Sequence, residues 1–200
     1  MKKIILITGV CILSYLVIST LLKKTEPSTA YIESIQEERD NKDQFMSTSS
    51  NSPFHIYGDT TVNLKYFPID ETYKVIAQID HIETRQKVTL ANSDGTNSTY
   101  IKFAYASFEL NNKSQRLLIL KNILEGSLFT AFTDQTSTEE TYGAGRYLDL
   151  DFNRAKRITI DFNKAYNPYC NYNHEYSCPF PPSENSLNLV ITAGEKDYEK

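Results

Sequence analysis

The sequence predicts a mainly β chain: an antiparallel sandwich or barrel-like domain with one N-terminal helix, preceded by a membrane-spanning segment. Three observations carry that reading. From Phe54 onward Tyr, Phe, Ile, Val and Thr dominate and no long stretch favours a helical period. Turn chemistry recurs between the runs, as at Asp94-Gly95 and Asn111-Asn112. Ahead of all this, Ile4 to Leu22 carries no charge and is flanked by Lys2-Lys3 and Lys23-Lys24.

At 1.5 Å per helical residue the apolar run reaches roughly 28 Å, close to the ~30 Å hydrocarbon core of a bilayer. Residues 1–24 therefore read as a membrane anchor, with a cleaved signal segment as the rival. A signal's apolar region is usually shorter and ends at small residues, whereas this one ends at a lysine pair. The two lysine pairs nearly cancel as orientation signals, and the terminal amine with Glu26 tips the N-terminus inward. The domain is then a single-pass, extracytoplasmic one with the bilayer as a partner through residues 4–22.

Residues 25–30 form a polar tether, and 31–198 a single globular domain. Without the four flanking lysines, 17 basic residues face 25 acidic ones, a net charge of −8. No basic cluster beyond Arg154 to Arg157 offers itself to phosphates, so nucleic acid is not an expected partner. Tyr31, Ile32, Ile35, Phe45 and Met46 recur at helical spacing among charged residues, which predicts a helix over 30–46. Strands are predicted at 73–79, 87–90, 100–110, 115–121, 128–133, 147–152, 157–162 and 187–192. With 7 Gly and no repeat of fixed period, a compact domain is favoured over a solenoid.

In the runs 147–152 and 157–162, Leu148, Leu150 and Phe152 alternate with polar residues, as do Ile158, Ile160 and Phe162. A hairpin with a loop at 154–156 puts both apolar sets on one face, and sets Asp149 opposite Asp161. Facing carboxylates ask for a proton, a cation or a basic neighbour such as Arg146 or Lys164. A hydrated polar face is the plain alternative. By parity Arg146 lies on the apolar side, so either it precedes the strand or it has an acidic partner such as Glu184 or Glu195.

Cys11 lies in the apolar run and reads as a small hydrophobe. Cys170 and Cys178 admit three readings: a disulfide, favoured outside the cytoplasm; packed free thiols; or metal ligands with His174, for which no fourth Cys or His is near. No metal and no cofactor is predicted.

The C-terminal blocks are dense: Gly145-Arg146-Tyr147-Leu148-Asp149, Asp161-Phe162-Asn163, Ala165-Tyr166-Asn167-Pro168 with Cys170, Cys178-Pro179-Phe180-Pro181-Pro182 with Glu184-Asn185, and Ala193-Gly194-Glu195-Lys196. Together they resemble the bacterial and archaeal family called domain of unknown function 1684, across residues 31 to 198. Tyr169, Asn171, Phe180 and Thr138 depart from its pattern. The resemblance implies a shared domain and supplies no activity.

The candidate ligand-binding residues are Arg146, Asp149, Asp161, Asn163, Tyr166, Asn167, Tyr172, Glu184 and Asn185. The asparagines read equally as amides that satisfy irregular backbone. Three functional classes follow. The first is a membrane-tethered binding or interaction domain for an unknown small molecule or protein. The second is a hydrolase-like enzyme using Arg146, Asp149, Asp161 and Glu184, and the third a structural envelope protein. No Gly-rich phosphate loop, paired CxxC or HExxH is present.

Overall fold

The computed structural model describes residues 27–57, 62–153 and 155–198. The apolar run 4–22 lies outside them, and with it the expected anchor. No helix among the described residues is long and apolar enough to cross a membrane. Helix α1 (Thr29–Thr48) leads, followed by β1 (Lys74–His81), β2 (Lys87–Ala91), β3 (Asn97–Leu110), β4 (Lys113–Lys121), β5 (Leu128–Phe132), β6 (Arg146–Leu150) and β7 (Arg157–Asp161).

All seven strands belong to one antiparallel sheet in the order β6-β5-β4-β3-β1-β7, with β2 pairing β3. The sheet curls into a half-barrel, so the two-sheet sandwich allowed by the sequence is not formed. The turns follow from local chemistry. Leu110 pairs with Lys113 around Asn111 and Asn112, at φ 52° and 58°, the left-handed pair that a two-residue hairpin demands. An extra residue between Lys102 and Ala104 breaks the β3–β4 register, a bulge that bends the longest strand.

The concave side holds the core. Ala77, Ala104, Ala106, Leu117, Ile119 and Ile160 are fully buried there, joined by Phe132 and Phe162, whose rings meet edge to face at 5.3 Å. A smaller cluster on the convex side, with Leu118, Leu120, Phe129 and Ala131, is covered by tyrosines and the C-terminal segment.

Two expectations are corrected. β6 and β7 do not form a hairpin: β6 pairs β5 from Leu128↔Leu150 to Phe132↔Arg146, and β7 pairs β1 from Lys74↔Asp161 to Gln78↔Arg157. They are the two edges of the curled sheet. The parity argument placed Leu148, Leu150, Ile158 and Ile160 on one face correctly, because both edges turn that face to the same core. Partner choice differs because each finds a five-residue ladder elsewhere, and Asp149 does not stand opposite Asp161.

The run 187–192 is not a ladder strand either. It passes extended through the core with Leu187, Leu189, Ile191 and Ala193 buried. Its backbone is satisfied by neighbours: Gln135 N donates to Leu189 O at 2.7 Å, and Ile191 N donates to Asp134 Oδ1 at 3.3 Å. Gly194 (φ +76°) ends this run. A Cβ there would stand 2.6 Å from the carbonyl oxygens of Phe162 and Ala165.

Candidate functional site

Helix α1 lies along the open seam of the half-barrel, and the way it docks makes the site. Ser28 caps it, its Oγ accepting from Tyr31 N at 3.2 Å. Tyr31, Ile35, Arg39 and Met46 form its buried stripe, while Ile32 and Phe45, expected in that stripe, are exposed. Several polar contacts tie it to the rest of the fold. Tyr31 Oη donates to Asp161 at 2.9 and 2.8 Å, Arg39 Nη1 to Phe67 O at 3.0 Å, and Lys42 Nζ to Glu195 at 2.6 Å. Lys164 pairs with Glu38 on the outside.

Between α1 and the segment 165–179 runs a cleft of about 710 Å³. Tyr66, Tyr147, Tyr166, Tyr169 and Tyr176 line it with Phe45 and Met46, and Arg39, Lys42 and Asp149 bring charge to the walls. Beneath it lies a buried hub. Glu195, 1% exposed, accepts from Lys42, from Tyr172 Oη, and from Asn167 N and Nδ2 at 3.3 and 3.2 Å. Lys42 also sits over the Tyr166 ring at 4.7 Å. Burial pushes Tyr66, Tyr166 and Tyr172 well above the ordinary phenol range, so all three stay protonated donors. Desolvation raises Asp149, against the lowering effect of Tyr166 Oη, which donates to it at 3.0 Å.

Asp149 and Tyr166 sit on the cleft, and Asn163 reaches its edge. Asn167 and Tyr172 lie behind it, holding Glu195. Asp161 is under α1, accepting from Tyr31 and from Asn163 N at 3.1 Å, and the Asn163 amide in turn exchanges bonds with the backbone of Asp70 at 2.8 and 3.0 Å. Asp149 and Asp161 also border a second cavity of about 790 Å³ along the seam.

Three of the candidates lie apart from this cleft. Arg146 is sealed inside the half-barrel, where Nη2 donates to Asp134 Oδ2 at 2.8 Å and to Ile191 O at 3.1 Å, and Nη1 to Ala193 O and Glu195 O. Its acidic partner is therefore Asp134, not Glu184 or the Glu195 carboxylate. Glu184 is on the convex side, accepting from Lys102 at 2.8 Å and Tyr105 at 2.7 Å. Partial desolvation pushes it up, but those bonds more than offset this and hold its pKa below the usual value. Asn185 is fully buried between β4 and β5: its Oδ1 accepts from Leu118 N at 2.7 Å, and its Nδ2 donates to Leu118 O and Ala131 O at 3.0 and 2.9 Å. The quartet Arg146, Asp149, Asp161 and Glu184 thus shares no pocket.

Cys170 and Cys178, which admitted a disulfide, stand as buried free thiols, with Cys170 N donating to Cys178 Sγ at 3.2 Å. The contact with Cys178 brings the Cys170 thiol down to about 6, while Cys178 is pushed up by the same contact and by burial. Among the described residues no group of three or more His, Cys, Asp or Glu is placed to hold a metal ion.

Sequence reasoning missed Arg39 and Lys42. Their i, i+3 spacing put both on one helix face, but charged residues on a surface helix usually face water. Glu195 was considered only as a partner for Arg146.

These features define a half-open antiparallel β-barrel whose seam is straddled by a helix, with a tyrosine-lined cleft beneath that helix. The chain belongs to the family described as Protein of unknown function (DUF1684), whose profile matches residues 60–196. It is similar to an uncharacterised protein of Haloarcula marismortui solved by solution NMR, with 36% identity over 84% of this chain and 94% of that one, and a TM-score of 0.65. No curated protein matches it. Neither family nor neighbour assigns an activity.

Proposed function

We propose that the protein is a membrane-tethered binding domain, held outside the cytoplasm by residues 4–22, with the cleft beneath α1 as its ligand site. The cleft carries this reading. Its volume of about 710 Å³ lies within the ~300–1,000 Å³ typical of small-molecule sites, and its lining joins aromatic rings to a few charged groups. A concave site of that size favours a small molecule over a protein surface. The apolar run and the acidic remainder of the chain support the tether and the compartment.

The test is a screen of ring-bearing fragments against the full chain in detergent, read by saturation-transfer NMR. Tyr169 and Tyr176 are half-buried and stack edge to face at 5.2 Å, so replacing both with alanine opens the wall; Tyr169 also packs on the small Met46–Phe54–Tyr172 cluster, while the main core of the half-barrel is untouched. Fragments that bind the wild type are expected to lose that signal in Tyr169→Ala/Tyr176→Ala. Fragments that bind both chains equally, or no binding at all, would overturn the reading. Alkaline phosphatase fused after Pro27 is expected to be active in cells; an inactive fusion with an active β-galactosidase counterpart would place the domain inside.

A further inference from the structure

The cations of the cleft are not equivalent. Lys42 is bound to Glu195, and Lys164 to Glu38. Arg39 has no such partner. Its side chain is nine-tenths buried, with the guanidinium over the Tyr66 ring at 4.6 Å, and its one hydrogen bond is from Nη1 to Phe67 O at 3.0 Å. Nε and Nη2 are buried with no hydrogen-bond partner among the described residues.

Those two nitrogens share one edge of the guanidinium. That edge is the planar fork that fits the two oxygens of a carboxylate with parallel N–H···O bonds. Leaving two charged donors unpaired in a desolvated place is costly, and arginine cannot escape the cost by losing its proton. Desolvation lowers the Arg39 pKa, which measures the same penalty. Arg39 also lines the cleft, whose other walls join tyrosine rings, Phe45 and Pro179 to the charged side chains of Glu38, Lys42, Glu125, Asp149 and Lys164.

We infer that the cleft takes a small organic carboxylate with an apolar, ring-containing body, its carboxylate held side-on by Arg39 Nε and Nη2 and its body packed among the tyrosines. This rests on the cleft being the ligand site, and it adds the chemical class. Arg146, the fork expected from sequence, has no role in it because it is sealed inside the half-barrel away from the cleft, with both terminal nitrogens bound to Asp134 and backbone carbonyls.

The probe pair is 4-phenylbutyrate and its neutral amide, titrated into the full chain in detergent by calorimetry. The acid is expected to bind about tenfold tighter than the amide or better, the ratio that one well-placed charge-assisted fork supplies. Lysine keeps the charge and loses the fork, so Arg39→Lys should bind the two probes within about threefold of each other. A urea-unfolding midpoint close to the wild type's is the internal check that Arg39→Lys is still folded. Should the wild type bind acid and amide equally, the carboxylate assignment falls and the cleft stands. If neither probe binds at millimolar concentration, the cleft reading falls with it.

Discussion

Arg146 joins the edge strand β6 to the extended run 187–192, and its removal tests whether that joint holds the half-barrel together. In Arg146→Met the Asp134 carboxylate loses its counter-charge, and the carbonyls of Ile191 and Ala193 lose their donor. Both ion-pair side chains are 1% exposed, so solvent does not replace what is lost. Breaking a buried pair by deleting one partner costs ~3–5 kcal/mol, and each carbonyl left bare adds ~1–3 kcal/mol. A total of roughly 5–11 kcal/mol is comparable to the ~5–15 kcal/mol that holds a domain folded. Urea unfolding followed by far-UV circular dichroism is expected to show the cooperative transition nearly abolished. The double change Arg146→Met/Asp134→Asn separates the parts. It removes the uncompensated charge, while Asp134's donors, Thr136 N at 2.8 Å and Thr136 Oγ1 at 2.7 Å, still find an amide oxygen. Partial recovery of ~2–3 kcal/mol is expected, with the rest missing because the carbonyls remain bare. A cost below about 2 kcal/mol for Arg146→Met alone would refute the reasoning.

Asn185→Ala takes the amide from between β4 and β5, and is expected to cost ~2–4 kcal/mol and to speed exchange of the Leu118 amide, measured by hydrogen exchange. Glu184 has a lowered pKa, so its contribution is complete above the ordinary carboxyl range and disappears as pH falls through the folded value; Glu184→Gln should cost less than ~1 kcal/mol at neutral pH and flatten the acid limb of the stability curve. Asp149 has a raised pKa and the opposite sign: stability falls as pH climbs from the ordinary value to the folded one, and in Tyr166→Phe, which removes the lowering bond, NMR titration should find Asp149 higher still. In the reduced chain the thiolate absorbance of Cys170 should appear with a midpoint near the value of about 6 and move upward in Cys178→Ala; an unmoved midpoint would show that Cys178 is not the cause.

The strands were legible because they carry apolar residues at alternate positions, or as a short continuous run where both faces are covered as in Leu117 to Leu120 of β4, and end at chemistry that turns the chain, as Asn111-Asn112 does. What was not legible is which edges meet. β6 and β7 are close in sequence and share an inner face, which is all that parity can establish; hydrogen-bond partners depend on ladders with β5 and β1 that no local pattern encodes. The run 187–192 alternates like a strand because it packs like one, yet it takes its hydrogen bonds from the chain around Asp134. At the site, Tyr166 was legible from the tyrosines and asparagines of its segment, whereas Asp149 was reached through a β6–β7 pairing that does not form. Arg39 and Lys42 were not, because a helix that lies across a seam buries charged residues that look solvated in one dimension.

The dense C-terminal blocks and the cleft answer to different demands. Arg146, Asp161, Asn163, Asn167, Asn185 and Glu195 are all buried, and each ties irregular backbone or α1 to the half-barrel. A chain that ends in forty residues with almost no ladder must satisfy its peptide groups by side chains, and these amides and carboxylates do so. Their density therefore marks architecture first. The groups that face the cleft from α1, Arg39 and Lys42, lie before residue 60, where the family match begins. One wall thus comes from the span matched by the family profile and the other from α1. The blocks hold the half-barrel together, while Arg39 and Lys42 are brought to the cleft by the helix that docks across its seam.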